Sequence, residues 1–214
     1  MDKVSKKSLA AGAVAVGAAL AGAAYYILQE RETEEPDYRA LVTDGDFQIR
    51  EYPAITVAET TTKGERRQAL SDGFRVLADY IFAKSRDGEK LAMTVPVMQD
   101  AGTPNASDPP LFDDEVLDGG WRVRFVMPGG RTSADLPPAP EGVTLIDLPA
   151  RKVAVVQFAG RPEDTDLAAE EDRLRGWLER HGEKALQVEP EYAFYNSPMI
   201  PPPLRRNEVL LALG

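Results

Sequence analysis

The 214 residues contain no cysteine, so disulfides, thiolate metal ligands and cysteine nucleophiles are excluded, and an oxidising compartment is permitted. Histidine occurs once, at His181. A histidine cage for a metal is therefore ruled out, and any Ser-His-Asp arrangement would have to be built around that one ring. His181 precedes Gly182 at the end of a predicted helix, where an imidazole sits favourably against the helix dipole, which is a structural role. Positive charge is also scarce: 25 Lys and Arg against 35 Asp and Glu leave a net charge of −10. Binding nucleic acid needs clustered cations to replace phosphate counterions, so that class is set aside. The chain also lacks G-x-S-x-G, P-loop, H-E-x-x-H and Rossmann glycine patterns.

What is present is the composition of a folded domain, 43% hydrophobic and 28% charged. Residues 1–8 carry Lys3, Lys6 and Lys7, and Leu9 to Leu28 follow without a charge. Twenty residues span ~30 Å as a helix, the thickness of a bilayer core. Tyr25 and Tyr26 lie near the far end, where rings favour the interface. An acidic linker covers 29–37. Lysines before and acids after place the N-terminus in the cytoplasm and the domain in the periplasm or cell exterior, with 9–28 as a single-pass transmembrane anchor. The alternatives are a signal peptide cleaved after Ala21-Gly22-Ala23 and a buried soluble helix.

The remainder, 38–214, reads as two copies of one unit, about 46–128 and 143–213. Phe47 to Tyr52, Pro53-Ala54 and Ile55 to Thr60 in the first match Val143 to Leu148, Pro149-Ala150 and Arg151 to Phe158 in the second. Each is an extended run, a Pro-Ala break and a strand rich in β-branched residues. A helical face follows each time: Leu70, Phe74, Leu77 and Ile81, then Leu167, Leu174, Trp177 and Leu178. Next come the proline-broken segments Ala92–Val97 and Phe194–Met199, and the closing strands Trp121–Met127 and Glu208–Leu213. Residues 99–120 and 129–142 read as loops; in the first, Asp113-Asp114-Glu115 is taken as a solvated cluster and Asn105-Ala106-Ser107 as a chance sequon. Two β-α-β-β units of this length predict an α+β domain whose strands join in one curved body with two helices outside.

Ile49-Arg50-Glu51-Tyr52, Ala92-Met93-Thr94-Val95-Pro96-Val97, Phe125-Val126-Met127-Pro128, Pro137-Pro138-Ala139-Pro140, Tyr195-Asn196-Ser197-Pro198-Met199 and Arg205-Arg206-Asn207-Glu208-Val209 occur in this order. Over 38–213 the chain resembles the SOUL/heme-binding-protein family, as a bacterial, membrane-anchored member. The resemblance implies a distorted eight-stranded β-barrel with two flanking helices. It also implies non-enzymatic binding of heme or a related tetrapyrrole in an apolar cleft between the first helix and the Tyr-Asn-Ser-Pro-Met segment. The implied lining is Leu70, Phe74, Leu77 and Ala78 facing Tyr195 and Met199, with Arg205 or Arg206 near the propionates. The plain alternative is that the helical stripe is core. Basic positions that flank heme in vertebrate members fall here on Ser71, Asp79 and Ile200, and a histidine thought to ligate iron in one relative is replaced by Glu51. The candidate iron ligands are Tyr195, Met199 and His181, or none. A reading from another class is a small-molecule effector-binding or hydrolytic domain of the GyrI-like type, whose acid-base pair would come from Glu51, Glu191, Tyr52 and Tyr195. A third is an interaction module without a ligand.

Overall fold

The computed structural model describes residues 33–84, 86–101 and 120–214, and the fold below is that of the compact unit Glu34–Gly214. Segment 9–28, the sequon and the cluster Asp113–Glu115 lie outside the described residues. Among the described residues no helix is long and apolar enough to cross a membrane.

The elements are β1 (Arg39–Asp44), β2 (Phe47–Tyr52), β3 (Ile55–Lys63), α1 (Arg66–Ile81), β4 (Val97–Ala101), β5 (Gly120–Val126), β6 (Thr144–Leu148), β7 (Arg151–Phe158), α2 (Asp164–Arg180), β8 (Glu191–Phe194) and β9 (Asn207–Leu213). Short 3-10 turns occupy Ser133–Asp135 and Pro202–Leu204. The strands form one sheet in the order β1-β2-β7-β9-β8-β4-β5-β3-β6, and every ladder is antiparallel. Without β1 this order is a palindrome: β2-β7-β9-β8 in one half mirrors β6-β3-β5-β4 in the other. The repeat is therefore a pseudo-two-fold about the β4–β8 ladder. The halves also exchange strands, because β2 pairs with β7 and β6 pairs with β3.

The Pro-Ala breaks make that exchange possible. Only Pro53 and Ala54 separate β2 from β3, yet the two strands belong to opposite halves of the sheet. Proline cannot donate to a ladder, so the long strand is released from one half and enters the other. Pro149-Ala150 does the same between β6 and β7.

The expected eight-stranded barrel is corrected on two points. There are nine strands, and β1 and β6 are both edges, so among the described residues the sheet is not closed. The extra strand comes from a hairpin that the sequence reading did not include. Gly45, at φ 58°, turns β1 back onto β2 and occupies the edge that a closing strand would need. The two proline-broken segments are also shorter as strands than expected. β4 starts only at Val97, after an isolated bridge between Thr94 and Glu34, and β8 ends at Phe194.

Alternation then assigns two faces. α1 packs on β3 and β5, and α2 on β7 and β9, all on one face of the sheet. Under α1 lie Ala58, Val97, Val123 and Phe125; under α2 lie Ile49, Ala154, Val156, Val209 and Leu211. Gly73 lets α1 approach β5 closely, since a methyl there would lie 2.6 Å from Cγ2 of Val123. His181 caps α2, its Nδ1 2.9 Å from the carbonyl oxygen of Trp177 and its ring against the indole.

Candidate functional site

The helix-covered face carries an apolar floor between the two halves. Register places Phe125, Val97 and Phe194 side by side across β5, β4 and β8, so their side chains share this face. Phe74 of α1 lies edge-on over Phe125, ring centroids 5.2 Å apart, and is 40% exposed. Leu70 packs against the clusters under both helices, so it borders the seam between them. Beyond Phe194 the chain makes a wide loop that ends at Arg206. That loop leans toward the start of α2, where Gly160 donates to the carbonyl of Pro202 at 2.9 Å. Met199 on this loop is 79% exposed.

The residues expected to line a cleft separate into three groups. Leu77 and Ala78 are buried among Ala58, Val123 and Phe125, and their contacts are core contacts. Leu70, Phe74 and Met199 remain accessible on or beside the helix-covered face. Tyr195 belongs to the opposite face, in a cluster with Tyr52, Val153, Val155, Ala193 and Leu210. Arg205 and Arg206 are both engaged. Arg205 donates to the carbonyls of Ile200 and Pro198, each at 2.7 Å, and braces the loop. Arg206 lies 3.7 Å from the Tyr195 ring centroid and pairs with Glu208 and Glu35 at 3.0 and 2.9 Å. Sequence periodicity missed Val97 and Phe194, because a floor assembled from three strands has no signature within any one of them.

On the face away from the helices, three of the motifs quoted above meet. Arg50 donates to both carboxylate oxygens of Glu208, at 2.8 and 2.9 Å, and to the Tyr52 hydroxyl at 3.1 Å. Tyr195 donates its hydroxyl to the same carboxylate at 2.9 Å. Arg50 and Glu208 are 1% and 0% exposed. Burial works against the Arg50 charge, but Glu208 more than offsets it and holds the guanidinium above its ordinary pKa. Burial pushes the Tyr195 phenol well above its ordinary value, with Glu208 adding to the shift. Neighbouring strands continue the network. Arg122 donates to Asp100 at 2.7 Å, and Arg124 to Glu59 and Asp100 at 2.6 and 3.2 Å. The sequence signal was the alternation Arg122-Val123-Arg124-Phe125, with charges on one face of β5 and apolar groups on the other.

The carboxylates considered for acid-base work are committed elsewhere. Glu51 is exposed and accepts from Arg39 at 2.6 Å. Glu191 is gripped by both terminal nitrogens of Arg151, one of them at 2.8 Å. Burial alone would raise the Glu191 pKa, but Arg151, with Arg124 and Arg122 behind it, brings it down to about 2. A general acid held at that value donates nothing near neutrality. Among the described residues no group of three or more His, Asp or Glu is placed to hold a metal ion. A cavity of about 470 Å³ opens near the first Pro-Ala break, with Tyr38, Tyr52, Pro53, Ala150 and Arg151 in its wall.

A model of the SOUL heme-binding protein family matches residues 33–212. No curated protein matches the chain in sequence. Among solved structures, an uncharacterized conserved protein from Listeria innocua is similar with a TM-score of 0.53 at 13% identity, over 79% of this chain and 92% of that one. A hydrolase from Listeria innocua is similar at 0.52 and 12%, over 81% and 94%. The C-terminal domain of EcmrR is similar at 0.50 and 14%, over 83% and 98%. At these identities the likeness is one of fold.

Proposed function

The chain belongs to the SOUL heme-binding protein family, and we propose that it binds heme or a related tetrapyrrole as cargo, without catalysis, on the apolar surface beside Leu70 and Phe74 of α1. The observation that carries this reading is the family match over 33–212, which takes in nearly the whole described fold. A macrocycle needs a broad apolar wall, and Phe74, 40% exposed, with the half-buried Leu70 beside it, offers apolar surface for one. Leu77 and Ala78 would act only from behind, by fixing α1 on the sheet.

Of the three iron ligands considered, two are poorly disposed. The Tyr195 hydroxyl is donated to Glu208 on the other face, and His181 is held at the end of α2 by Trp177. Met199, at 79%, is the most exposed of the three. Packing on the ring faces, rather than ligation by Tyr195 or His181, is therefore the holding interaction we infer. With 9–28 as a retained anchor, the domain would handle tetrapyrrole at a membrane surface on its periplasmic or exterior side.

Hemin titration of the full chain tests this. We expect a saturable shift of the Soret band that Phe74→Ala weakens about tenfold, the equivalent of ~1.4 kcal/mol. Leu77→Ala, by contrast, should lose ~2–5 kcal/mol of stability as a core truncation. No Soret change with the wild-type chain would overturn the reading. A second reading is small-molecule effector binding, for which the cavity beside Tyr38 and Tyr52 is the supporting observation. Loss of the heme reading would leave it ahead. The committed states of Glu51 and Glu191 argue against its hydrolytic form.

A further inference from the structure

Met199 and Leu204 are the two most exposed large hydrophobic side chains among the described residues, at 79% and 53%. Both belong to the segment Pro198-Met199-Ile200-Pro201-Pro202-Pro203-Leu204, which carries no charge. The segment is not a loose tip. Ile200 is buried beneath it, Arg205 clamps the carbonyls of Pro198 and Ile200, and Gly160 donates to Pro202. Four prolines in seven residues restrict the backbone further. A braced loop that holds apolar side chains out in solvent keeps a surface ready for an apolar environment.

A separate set of contacts says where the chain joins the domain. The Glu34 carbonyl accepts from Val95 at 2.9 Å, and its carboxylate accepts from the Gly129 amide at 2.6 Å. Glu35 accepts from Arg206 at 2.9 Å. The residue that holds the linker, Arg206, is thus the immediate neighbour of the residue that braces the loop, Arg205. Residues 29–33, between the uncharged N-terminal segment and this fixed point, extend at most ~20 Å. Arg205 itself is held only by carbonyl oxygens and has no carboxylate partner among the described residues. An apolar tip flanked by such a guanidinium is the pattern of an interfacial contact, with side chains at the acyl boundary and the cation at phosphate depth.

We propose that the Pro198–Leu204 loop docks into the interfacial layer of the lipid bilayer that holds the N-terminal segment, with Met199 and Leu204 inserted and Arg205 at the phosphates. The proposal rests on residues 9–28 being a retained membrane segment.

The absence of cysteine makes the test clean, because a single introduced thiol is the only one in the chain. The full chain is reconstituted in vesicles of phosphatidylcholine and phosphatidylglycerol, labelled with a nitrobenzoxadiazole fluorophore at Leu204→Cys, Met199→Cys, Ala18→Cys or Lys184→Cys. Lys184 follows α2, whose 17 residues extend ~25 Å from the Gly160 side. We expect lipid-borne nitroxides to quench the labels at 18, 199 and 204 at least twofold and to leave 184 unchanged. Quenching at 18 with none at 199 and 204 overturns the docking and keeps the anchor. No quenching at any site overturns both. Quenching at 184 equal to that at 204 also overturns the docking, since the domain would then lie on the surface without orientation. Hemin binding of the Leu204→Cys chain, read from its Soret band, separates failure of docking from failure of the heme reading.

Discussion

Glu208→Gln removes one negative charge from the centre of the network on the helix-free face. In the wild type that carboxylate accepts from Arg50 twice, from Tyr195 and from Arg206, at 2.8 to 3.0 Å. The amide keeps the shape and one acceptor oxygen, so packing is preserved. Arg50, at 1% exposure, loses the carboxylate it pairs with and cannot turn to water. Breaking a buried pair on one side typically costs ~3–5 kcal/mol, because the remaining charge is left uncompensated. For a domain of this size, each kcal/mol lowers Tm by ~2–4 °C, so a drop of about 10 °C is expected. Urea unfolding of wild type, Glu208→Gln, Arg50→Met and the double variant supplies the full cycle. The double variant should lose ~2 kcal/mol less than the sum of the singles, since Met in place of Arg50 removes the charge that Glu208→Gln strands. A cost below ~1 kcal/mol for Glu208→Gln, or strict additivity, would refute the view that Arg50 and Glu208 compensate each other as a buried pair.

Three further outcomes follow from the same structure. Glu191 has its folded pKa depressed from 4.5 to about 2, so its contribution is full above the unfolded value and is lost as pH falls from ~4.5 to ~2, amounting to ~3 kcal/mol. Glu191→Gln should be less stable at pH 7 and show a flatter acid limb in pH-dependent unfolding; an unchanged limb would contradict the assignment. Gly73→Ala gains up to ~1 kcal/mol of helix propensity but sets a methyl 2.6 Å from Val123. Overpacking of ~1–3 kcal/mol should win, and Val123→Ala in the same chain should relieve it; a Tm at or above wild type would refute the close contact. Residues 34–130 alone should fail to fold, because β2 and β3 lose β7 and β6. A well-dispersed NMR spectrum from that fragment would show that strand exchange is dispensable.

Local pattern sufficed wherever the determinant was local. The stripe Leu70, Phe74, Leu77 and Ile81 became α1, the acids at Asp164 and Asp166 mark the start of α2, and the Pro-Ala breaks fall where β2 and β6 end. The repeat itself was visible as self-similarity and reappears as the palindromic strand order. β1 was missed because its six residues are all exposed and show no alternation; it exists by pairing with β2 after the turn at Gly45.

Residue chemistry and motif order alone carried the sequence to an α+β repeat and to its family. The direction in which each side chain points was decided by tertiary structure. Tyr195 and Phe194 are neighbours in sequence, but alternation along the chain sends one to Glu208 and the other to the helix-covered face beside Val97. The helical stripe likewise does not say how deep each residue sits: Leu77 is in the core while Phe74, three residues earlier, keeps 40% of its surface exposed. Arg50 and Glu208, 158 residues apart, meet only because β2 crosses to the other half of the sheet, a long-range pairing that no window of sequence contains.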